Sequence, residues 1–363
     1  MTHSQRRARL AARLDAAGLD AMLVSDLVNV RYLSGFTGSN AALLVFASDT
    51  GPVLVTDSRY RTQALRQAPD LDTVIDRACG RHLVSRALAA GARRIGFESH
   101  IVTVDGFEVL SGELAGHVGT ELVRASGAVE ALREVKDAAE IALLRLACRA
   151  ADSALTDLVS RDGLRPGRSE RAVARELESL MLDHGADARA FETIVAAGVN
   201  SAVPHHRPTE AVLRSGDFVK IDFGALVAGY HSDMTRTFVL GSAADWQREV
   251  YGLVAAAQQA GRDALEVGVQ LCEVDRAARK VIDEAGYGEH FGHGLGHGVG
   301  LQIHEAPGIN STAAGTLCAG SVVTVEPGVY LPDRGGVRIE DTLVVGEWGP
   351  ELLTRFPKDL AIL

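Results

Sequence analysis

The sequence predicts an α+β protein of two domains, and two observations carry that prediction. Two stretches repeat one another 104 residues apart, LRSGDFVKIDFG from Leu213 and LCAGSVVTVEPG from Leu317, and each is a β-patterned run that ends near a carboxylate. Two segments with apolar residues at helical spacing precede each copy. A curved antiparallel sheet with helices on its outer side, formed twice, accounts for both observations.

The elements can be placed in order along the chain. Before the repeat, helix and strand patterns alternate: a helix over 4–17, paired strands over 41–47 and 51–57, a helix over 82–90 and a strand over 93–99. The helices that belong to the repeat run over 138–159, 169–183, 246–267 and 270–285. We therefore expect an α/β domain over residues 1–130 and the repeat-bearing domain over residues 131–363.

The first copy carries two acidic residues on neighbouring strands. Asp222 lies near the end of the run FVKIDFG, and Asp233 begins the β-branched strand that follows it. A hairpin that turns at Val227–Ala228 or at Ala228–Gly229 keeps both carboxylates on one face, because side chains alternate along a strand. Cross-strand neighbours on such a face are close enough to share one cation cluster.

The second copy repeats this arrangement. Glu326 occupies the position of Asp222, and Glu340 lies on the next strand, for which we expect a turn at Gly335–Gly336. Between the copies lies the histidine-rich stretch FGHGLGHGVGLQIHE. A single strand acid usually faces solvent. Four carboxylates that converge on one site repel one another unless a cation neutralises them, so the pattern as a whole predicts a two-metal hydrolytic centre.

Five motifs carry a family resemblance. In chain order they are IDFG, SDMTRT, HGLGHGVGL, TVEPG and RIEDT. Together they resemble the motifs of the pita-bread metallopeptidases, in particular the Xaa-Pro aminopeptidase and prolidase branch, whose N-terminal domain is called creatinase-like. The resemblance implies a pita-bread catalytic domain over 131–363 after a creatinase-like α/β domain over 1–130. Matched position by position, it implies five metal ligands: Asp222, Asp233, His297, Glu326 and Glu340.

The same resemblance implies roles for the residues around the metals. The candidate catalytic residues are His205, His293, His304, Glu326 and Arg338. His205 would help to stabilise the transition state, and Glu326 would carry the proton to the leaving nitrogen. Arg338 shares a strand face with Glu340 and would hold a carboxylate in place. His206 stays open between a functional role and a packing or rim role.

The resemblance also implies the cofactor and the substrate class. Oxygen-rich ligation with one imidazole suits two divalent ions, for which manganese is favoured, with cobalt and zinc as alternatives. The substrates would be peptides with proline at the second position. Some prolidases carry an arginine after the HE motif to bind the terminal carboxylate, and Gly308 stands at that place. This favours a Xaa-Pro aminopeptidase, with a Xaa-Pro dipeptidase as the alternative if Arg207 or Arg334 serves instead.

Two other classes share this fold. Creatine-type amidinohydrolases work without metal and lack the five ligands, and a non-enzymatic binding protein would be expected to have lost ligands. The complete ligand set in this chain therefore favours a metal-dependent hydrolase over both.

Composition limits the remaining choices. The net charge of −10 over 363 residues argues against nucleic acid as a partner. No stretch has the ~18 apolar residues of a membrane span, and no signal-peptide core is present at the N-terminus. The four cysteines have no metal-binding spacing, which favours a reduced protein in the cytoplasm. The resemblance also implies a homodimer in which the N-terminal domain shapes the mouth of the partner's site, and closed dimers are the commonest oligomers.

Overall fold

The structure, a computed structural model, describes all 363 residues. By its internal contacts the chain divides into two compact units, Met1–Arg133 and Glu134–Leu363. None of the helices combines the length and the apolar character that a membrane crossing requires.

The first unit is built around a six-stranded mixed sheet with the order β4-β3-β2-β1-β5-β6. Its strands are β1 (Ala21–Val24), β2 (Ala41–Phe46), β3 (Val53–Thr56), β4 (Asp72–Ile75), β5 (Arg94–Phe97) and β6 (Glu121–Arg124). Its helices are α1 (His3–Ala16), α2 (Leu27–Ser34), α3 (Arg61–Gln67), α4 (Cys79–Ala89), α5 (Val104–Gly112) and α6 (Glu130–Arg133). The central strands β1, β2 and β3 are buried along their whole length, so their apolar runs form the core.

The second unit contains the sequence repeat. Its helices are α7 (Ala138–Ser160), α8 (Glu170–Asp183), α9 (Asp245–Asp263) and α10 (Leu271–Glu284). The strands of the first half are β7 (Ala188–Arg189), β8 (Ile194–Ala197), β9 (Phe218–Phe223), β10 (Ala225–Val227), β11 (Tyr230–His231) and β12 (Met234–Val239). The later strands are β13 (Gly296–Gly298), β14 (Glu305–Ile309), β15 (Val322–Val325), β16 (Gly328–Leu331), β17 (Gly335–Arg338), β18 (Asp341–Gly346) and β19 (Gly349–Leu352).

Each copy of the repeat has its own core. Helices α7 and α8 pack on β8, β9 and β12 in one hydrophobic cluster, and α9 and α10 pack on β15, β17 and β18 in another. The helices begin where the sequence provides caps, since the side chains of Asp137 and Ser169 accept backbone N–H bonds at the start of α7 and α8. The prediction of two helices outside an antiparallel sheet, formed twice, is thus realised.

The two hairpins turn by different means. In the first copy Val227 pairs with Tyr230, and the turn residues Ala228 and Gly229 have φ values of 48° and 83°, as a tight type I′ hairpin requires. The prediction of a turn at Gly335–Gly336 was wrong, because both glycines lie in β17 and the turn falls at 332–334. A Cβ at Gly336 would lie 2.6 Å from the carbonyl oxygen of Ser201, so close backbone approach explains this glycine.

Candidate metal centre

The strand register brings the acidic residues of each copy to one face. Asp222 on β9 pairs with Thr235 on β12, so Asp233, two residues before Thr235, shares the face of Asp222. In the second copy Val325 pairs with Asp341, which places Glu326 and Glu340 at the ends of the same two strands. The backbone N–H of Glu340 donates to the carbonyl oxygen of Thr235 at 3.2 Å, and this bond joins the two copies at the site.

Three of the five predicted ligands form a tight cluster. One ligand atom each from Asp233, His297 and Glu340 lies within 4.8 Å of the others. The Nε2 atom of His297 is 3.5 Å from Oδ2 of Asp233 and 3.3 Å from Oε1 of Glu326. Asp222 lines the same cavity. The structure therefore brings together all five side chains that the sequence singled out.

The orientation of His297 suits a metal ligand. Its Nδ1 lies 3.0 Å from the carbonyl oxygen of Gly298, which can only accept, so in the neutral ring Nδ1 carries the proton. The lone pair of Nε2 then faces the carboxylates of Asp233 and Glu326. Ligating histidines are oriented in this way by a hydrogen bond at the other ring nitrogen.

The buried carboxylates of the cluster repel one another, and a bound cation would relieve this repulsion. Burial, and then the charges of Glu340 and Asp222, raise the pKa of Asp233 well above its ordinary value. Burial, and then the charges of Glu326 and Asp222, raise the pKa of Glu340 in the same way. The Oδ1 atom of Asp222 is buried without a hydrogen-bond partner. An orphaned carboxylate oxygen beside mutually repelling acids fits a divalent ion, so this donor set can hold one.

Glu326 behaves differently from the other acids. Burial alone would raise its pKa. In the absence of a metal ion, however, the carboxylate of Glu326 outweighs burial and raises the pKa of His297. The hydrogen bond and charge of protonated His297, with the charge of Arg338, then outweigh burial and lower the pKa of Glu326 to about 2. The hydroxyl of Thr324 also donates to Oε1 of Glu326 at 3.2 Å. The carboxylate of Glu326 is thus held ionised and in a fixed orientation.

A chain of hydrogen bonds supports the cluster. Arg338 pairs with Asp222 and donates to the hydroxyl of Tyr330 at 2.8 Å. The Tyr330 hydroxyl is 2.9 Å from Nε2 of His293, whose Nδ1 in turn lies 2.8 Å from the carbonyl oxygen of Gly294. Arg338 therefore holds the carboxylate of Asp222, a predicted ligand, and it also orients His293 through Tyr330.

Two supporting residues were missed in the sequence. Tyr330 could have been found from the hairpin register, because Gly328 pairs with Arg338 and Tyr330 lies two residues beyond Gly328 on the same face. Glu170, at the start of α8, is buried and lies 2.8 Å from Nε2 of His206. No sequence pattern marks that contact, because it joins residues 36 positions apart through a loop.

A cavity of about 430 Å³ surrounds the cluster. Its wall includes every residue predicted for the site: His205, Asp222, Asp233, His293, His297, His304, Glu326, Arg338 and Glu340. The rings of His297 and His304 pack edge to face, with their centroids 4.4 Å apart. Burial lowers the pKa of His304. Arg207 also lines the cavity, whereas Arg334 stacks on Trp246 at 4.3 Å outside it.

Comparison with known proteins shows which family this fold and site belong to. Residues 142–347 match the model of metallopeptidase family M24, and residues 6–135 match the creatinase/prolidase N-terminal domain. The chain therefore belongs to the M24 metallopeptidases, which are metal-dependent hydrolases of peptide bonds. The family resemblance and the fold class predicted from the motifs are confirmed.

Individual relatives cover the whole chain. A Xaa-Pro dipeptidase of Pyrococcus furiosus is 34% identical over 358 residues, which is 98% of this chain and 99% of the relative. The solved structure of a Xaa-Pro dipeptidase from Bacillus anthracis superposes with a TM-score of 0.94 at 38% identity and covers 100% of both chains. An X-Pro aminopeptidase from Thermotoga maritima gives a TM-score of 0.89 at 34% identity, covering 98% of this chain and 99% of that one. Both specificities thus occur among close structural relatives.

Proposed function

We propose that the protein is a Xaa-Pro dipeptidase that depends on two divalent metal ions. The observation that carries the proposal is the convergence of five ligand-type side chains and an exposed arginine on one cavity. Full-length relatives with Xaa-Pro dipeptidase activity in their names support the same choice.

The proposed ions would be held by the two acid pairs and the imidazole. The residues that would hold the ions are Asp222, Asp233, His297, Glu326 and Glu340, as the resemblance implies. Bound divalent ions supply charge that polarises a carbonyl and lowers the pKa of water. The donor set is rich in oxygen, which favours manganese, with cobalt and zinc as alternatives.

The remaining steps fall to side chains of this chain. Glu326, whose carboxylate is oriented by the hydroxyl of Thr324, would accept a proton and pass it to the leaving proline nitrogen. His205 and His304, both in the cavity wall, would donate hydrogen bonds to the oxygen that becomes negative in the transition state. His293, fixed by Tyr330, would orient the substrate beside them.

The choice between dipeptidase and aminopeptidase depends on what recognises the far end of the substrate. Gly308, which favoured an aminopeptidase in the sequence, does not line the cavity, whereas Arg207 does. The Arg207 side chain is 83% exposed, and Glu192 lies 3.2 Å from its Nε. An exposed guanidinium is well suited to bind the terminal carboxylate of a dipeptide. The apolar wall residues Phe191 and Ile303 suit the proline ring.

A Xaa-Pro aminopeptidase is the second candidate. The similarity to the Thermotoga maritima enzyme supports it, and nothing at Gly308 would close the site to longer peptides. We further propose a cytoplasmic location, which the four free cysteines support, and a homodimer as the commonest closed assembly.

The first experiment tests the activity and the metal together. Purified protein should release proline from a Xaa-Pro dipeptide, should lose this activity on chelation, and should regain it with manganese. Elemental analysis of the same samples gives the number of ions bound. Full activity in protein shown to be free of metal would refute the proposed mechanism, and no hydrolysis with manganese, cobalt or zinc would refute the proposed function.

The second experiment tests Arg207. The variant Arg207→Ala should lose about 10–100-fold in kcat/KM for a Xaa-Pro dipeptide, since a charge-assisted bond to a carboxylate contributes about 1.5–3 kcal/mol. Hydrolysis of the matching Xaa-Pro-Xaa tripeptide should change little. Arg248→Ala, an exposed arginine on α9, is the matched control. Equal losses of kcat/KM for both substrates would show that Arg207 does not recognise the terminal carboxylate. A preference of the unmodified protein for the tripeptide would favour the aminopeptidase over the dipeptidase.

A further inference from the structure

Lys220 is a fully buried lysine beside the metal centre that none of the roles above uses. It lies on β9 two residues before Asp222, and 0% of its surface is exposed. No carboxylate lies within ion-pair distance of its Nζ. Instead Nζ donates to three backbone carbonyl oxygens, those of Ser201 at 3.1 Å, Val203 at 2.7 Å and Pro204 at 3.4 Å. These contacts occupy all three donors of the ammonium group.

Burying a charged lysine in this way costs free energy, so its contacts indicate what it does in the fold. The Nζ atom of Lys220 lies in a fully buried position, and the transfer of a charged ammonium group out of water is unfavourable. A buried ammonium usually has a carboxylate partner. Here the ring of Tyr330, whose centroid is 4.9 Å from Nζ, adds a cation–π contact, and the carboxylate of Asp222 lies beyond ion-pair distance. The energetic cost of burying this lysine is offset by contacts with a single backbone segment.

That segment leads directly into His205. The carbonyl of Val203 and that of Pro204 immediately precede it, and Pro204 itself lines the active cavity. The backbone of residues 204–208 makes no hydrogen bond with other backbone groups. Apart from Lys220, only Nη1 of Arg338 binds the carbonyl of Pro204, at 3.2 Å. Lys220 and Arg338 therefore share the carbonyl of Pro204, and Lys220 alone holds the side of this segment that carries the carbonyls of Ser201 and Val203.

The far side of the loop is held by Glu170, whose carboxylate also accepts from the N–H of Ala197 and the side chain of Asn200 before the loop. The buried carboxylate of Glu170 binds His206 and both the N–H and the hydroxyl of Thr209. His205 thus lies between two attachment points, one at Lys220 and one at Glu170. Loss of either attachment would free one side of the loop while the strand β9 and its ligand Asp222 stay in place.

We propose that Lys220 is a positioning residue that sets the place of His205 over the metal centre. The proposal rests on the role assigned to His205 under the proposed function. Lys220 touches no substrate atom; it acts by holding the carbonyl groups of residues 201–204. When a methionine replaces it, these carbonyls lose their donors and turn toward water, and His205 moves with them. A displacement of about 1 Å of a catalytic group costs on the order of 100-fold in rate.

The test is a double-mutant cycle with His205. We expect Lys220→Met to lower kcat for a Xaa-Pro dipeptide by about 10–100-fold while KM changes less than threefold. His205→Ala should be similarly impaired, and adding Lys220→Met to His205→Ala should cause no further loss. Lys280→Met, an exposed lysine on α10, controls for the loss of a positive charge. Multiplicative losses in the double variant would overturn the proposal, because Lys220 would then act independently of His205.

A second measurement needs no substrate. Hydrogen–deuterium exchange of the metal-loaded protein should accelerate in peptides that cover residues 199–209 of Lys220→Met, with helix α9 unchanged. Lys220→Gln, which keeps two donors, should fall between the unmodified protein and Lys220→Met in both exchange and kcat. Unchanged exchange over 199–209 in a folded Lys220→Met protein would overturn the proposal. Because exchange does not depend on turnover, this outcome is distinct from a failure of the proposed peptidase function.

Discussion

Replacement of Glu340 by glutamine should lower kcat/KM for a Xaa-Pro dipeptide by more than about 100-fold, because losing even the outer partners of metal ligands costs 10–100-fold. The side chain lies in the tight cluster with Asp233 and His297, and the hydroxyl of Thr235 holds its Oε2 at 2.6 Å. Glutamine keeps the shape and this hydrogen bond but removes the charge. Elemental analysis should show fewer bound ions per chain in the variant.

The thermal stability of Glu340→Gln shows whether Glu340 is a metal ligand or a residue that stabilises the fold. The carboxylates of the cluster repel one another in the absence of a cation, so removing one charge should not destabilise the metal-free protein. We expect its melting temperature to equal or exceed that of metal-free unmodified protein. Glu347→Gln, at the exposed end of β18, should keep both activity and metal. Near-normal turnover with a full complement of metal in Glu340→Gln would show that Glu340 is not a ligand.

The ligand pattern was readable in the sequence because it depends on periodicity alone. Side chains alternate along every strand, so two acids in a hairpin meet on one face for any two-residue turn that can join these strands. Asp222 and Asp233 meet in this way, although the sequence left two turns open. The duplication then indicated a second pair, Glu326 and Glu340, but the face that they share depends on the three-residue turn at 332–334, which the sequence analysis placed wrongly. Helices α7 and α8 could also be recognised in the sequence, because a side chain that caps the helix precedes each of them.

The parts that sequence analysis missed depend on contacts between distant segments. Gly335 and Gly336 resemble a turn, yet Gly336 is glycine because the backbone of Ser201 approaches it. The contact between Glu170 and His206 joins a helix to a loop and leaves no periodic signal. The same limit applied to substrate choice. Gly308 drew attention through its motif, but only the folded cavity distinguishes it from Arg207, which lines the wall.

A second large effect is expected one residue beyond Glu340, on the opposite face of the strand. Asp341 is fully buried and accepts hydrogen bonds from four groups: Arg236, Gln258, Thr354 and Lys358. Arg236 also donates to the backbone carbonyl of Glu340. Asp341 therefore ties the second copy of the repeat to the first and to the C-terminal segment.

Asp341→Asn should lower the free energy of unfolding by about 3–5 kcal/mol, because it leaves the buried Arg236 and the partly buried Lys358 without their counter-charge. Burial alone would raise the pKa of Asp341, but the charges of Arg236 and Lys358 outweigh it and hold the pKa below the ordinary value. A lowered folded-state pKa contributes stability above the unfolded value of about 3.9 and loses it as the pH falls through the folded value.

Urea unfolding of Asp341→Asn at several pH values checks both the size and the sign of this effect. The stability difference from the unmodified protein should be largest near neutral pH and should shrink as the pH falls below about 4. Asp359→Asn, an exposed acid in the same C-terminal segment, should change the unfolding free energy by less than about 0.5 kcal/mol. A loss below about 1 kcal/mol at neutral pH, or a loss that grows in acid, would mean that Asp341 does not stabilise the fold through its charge.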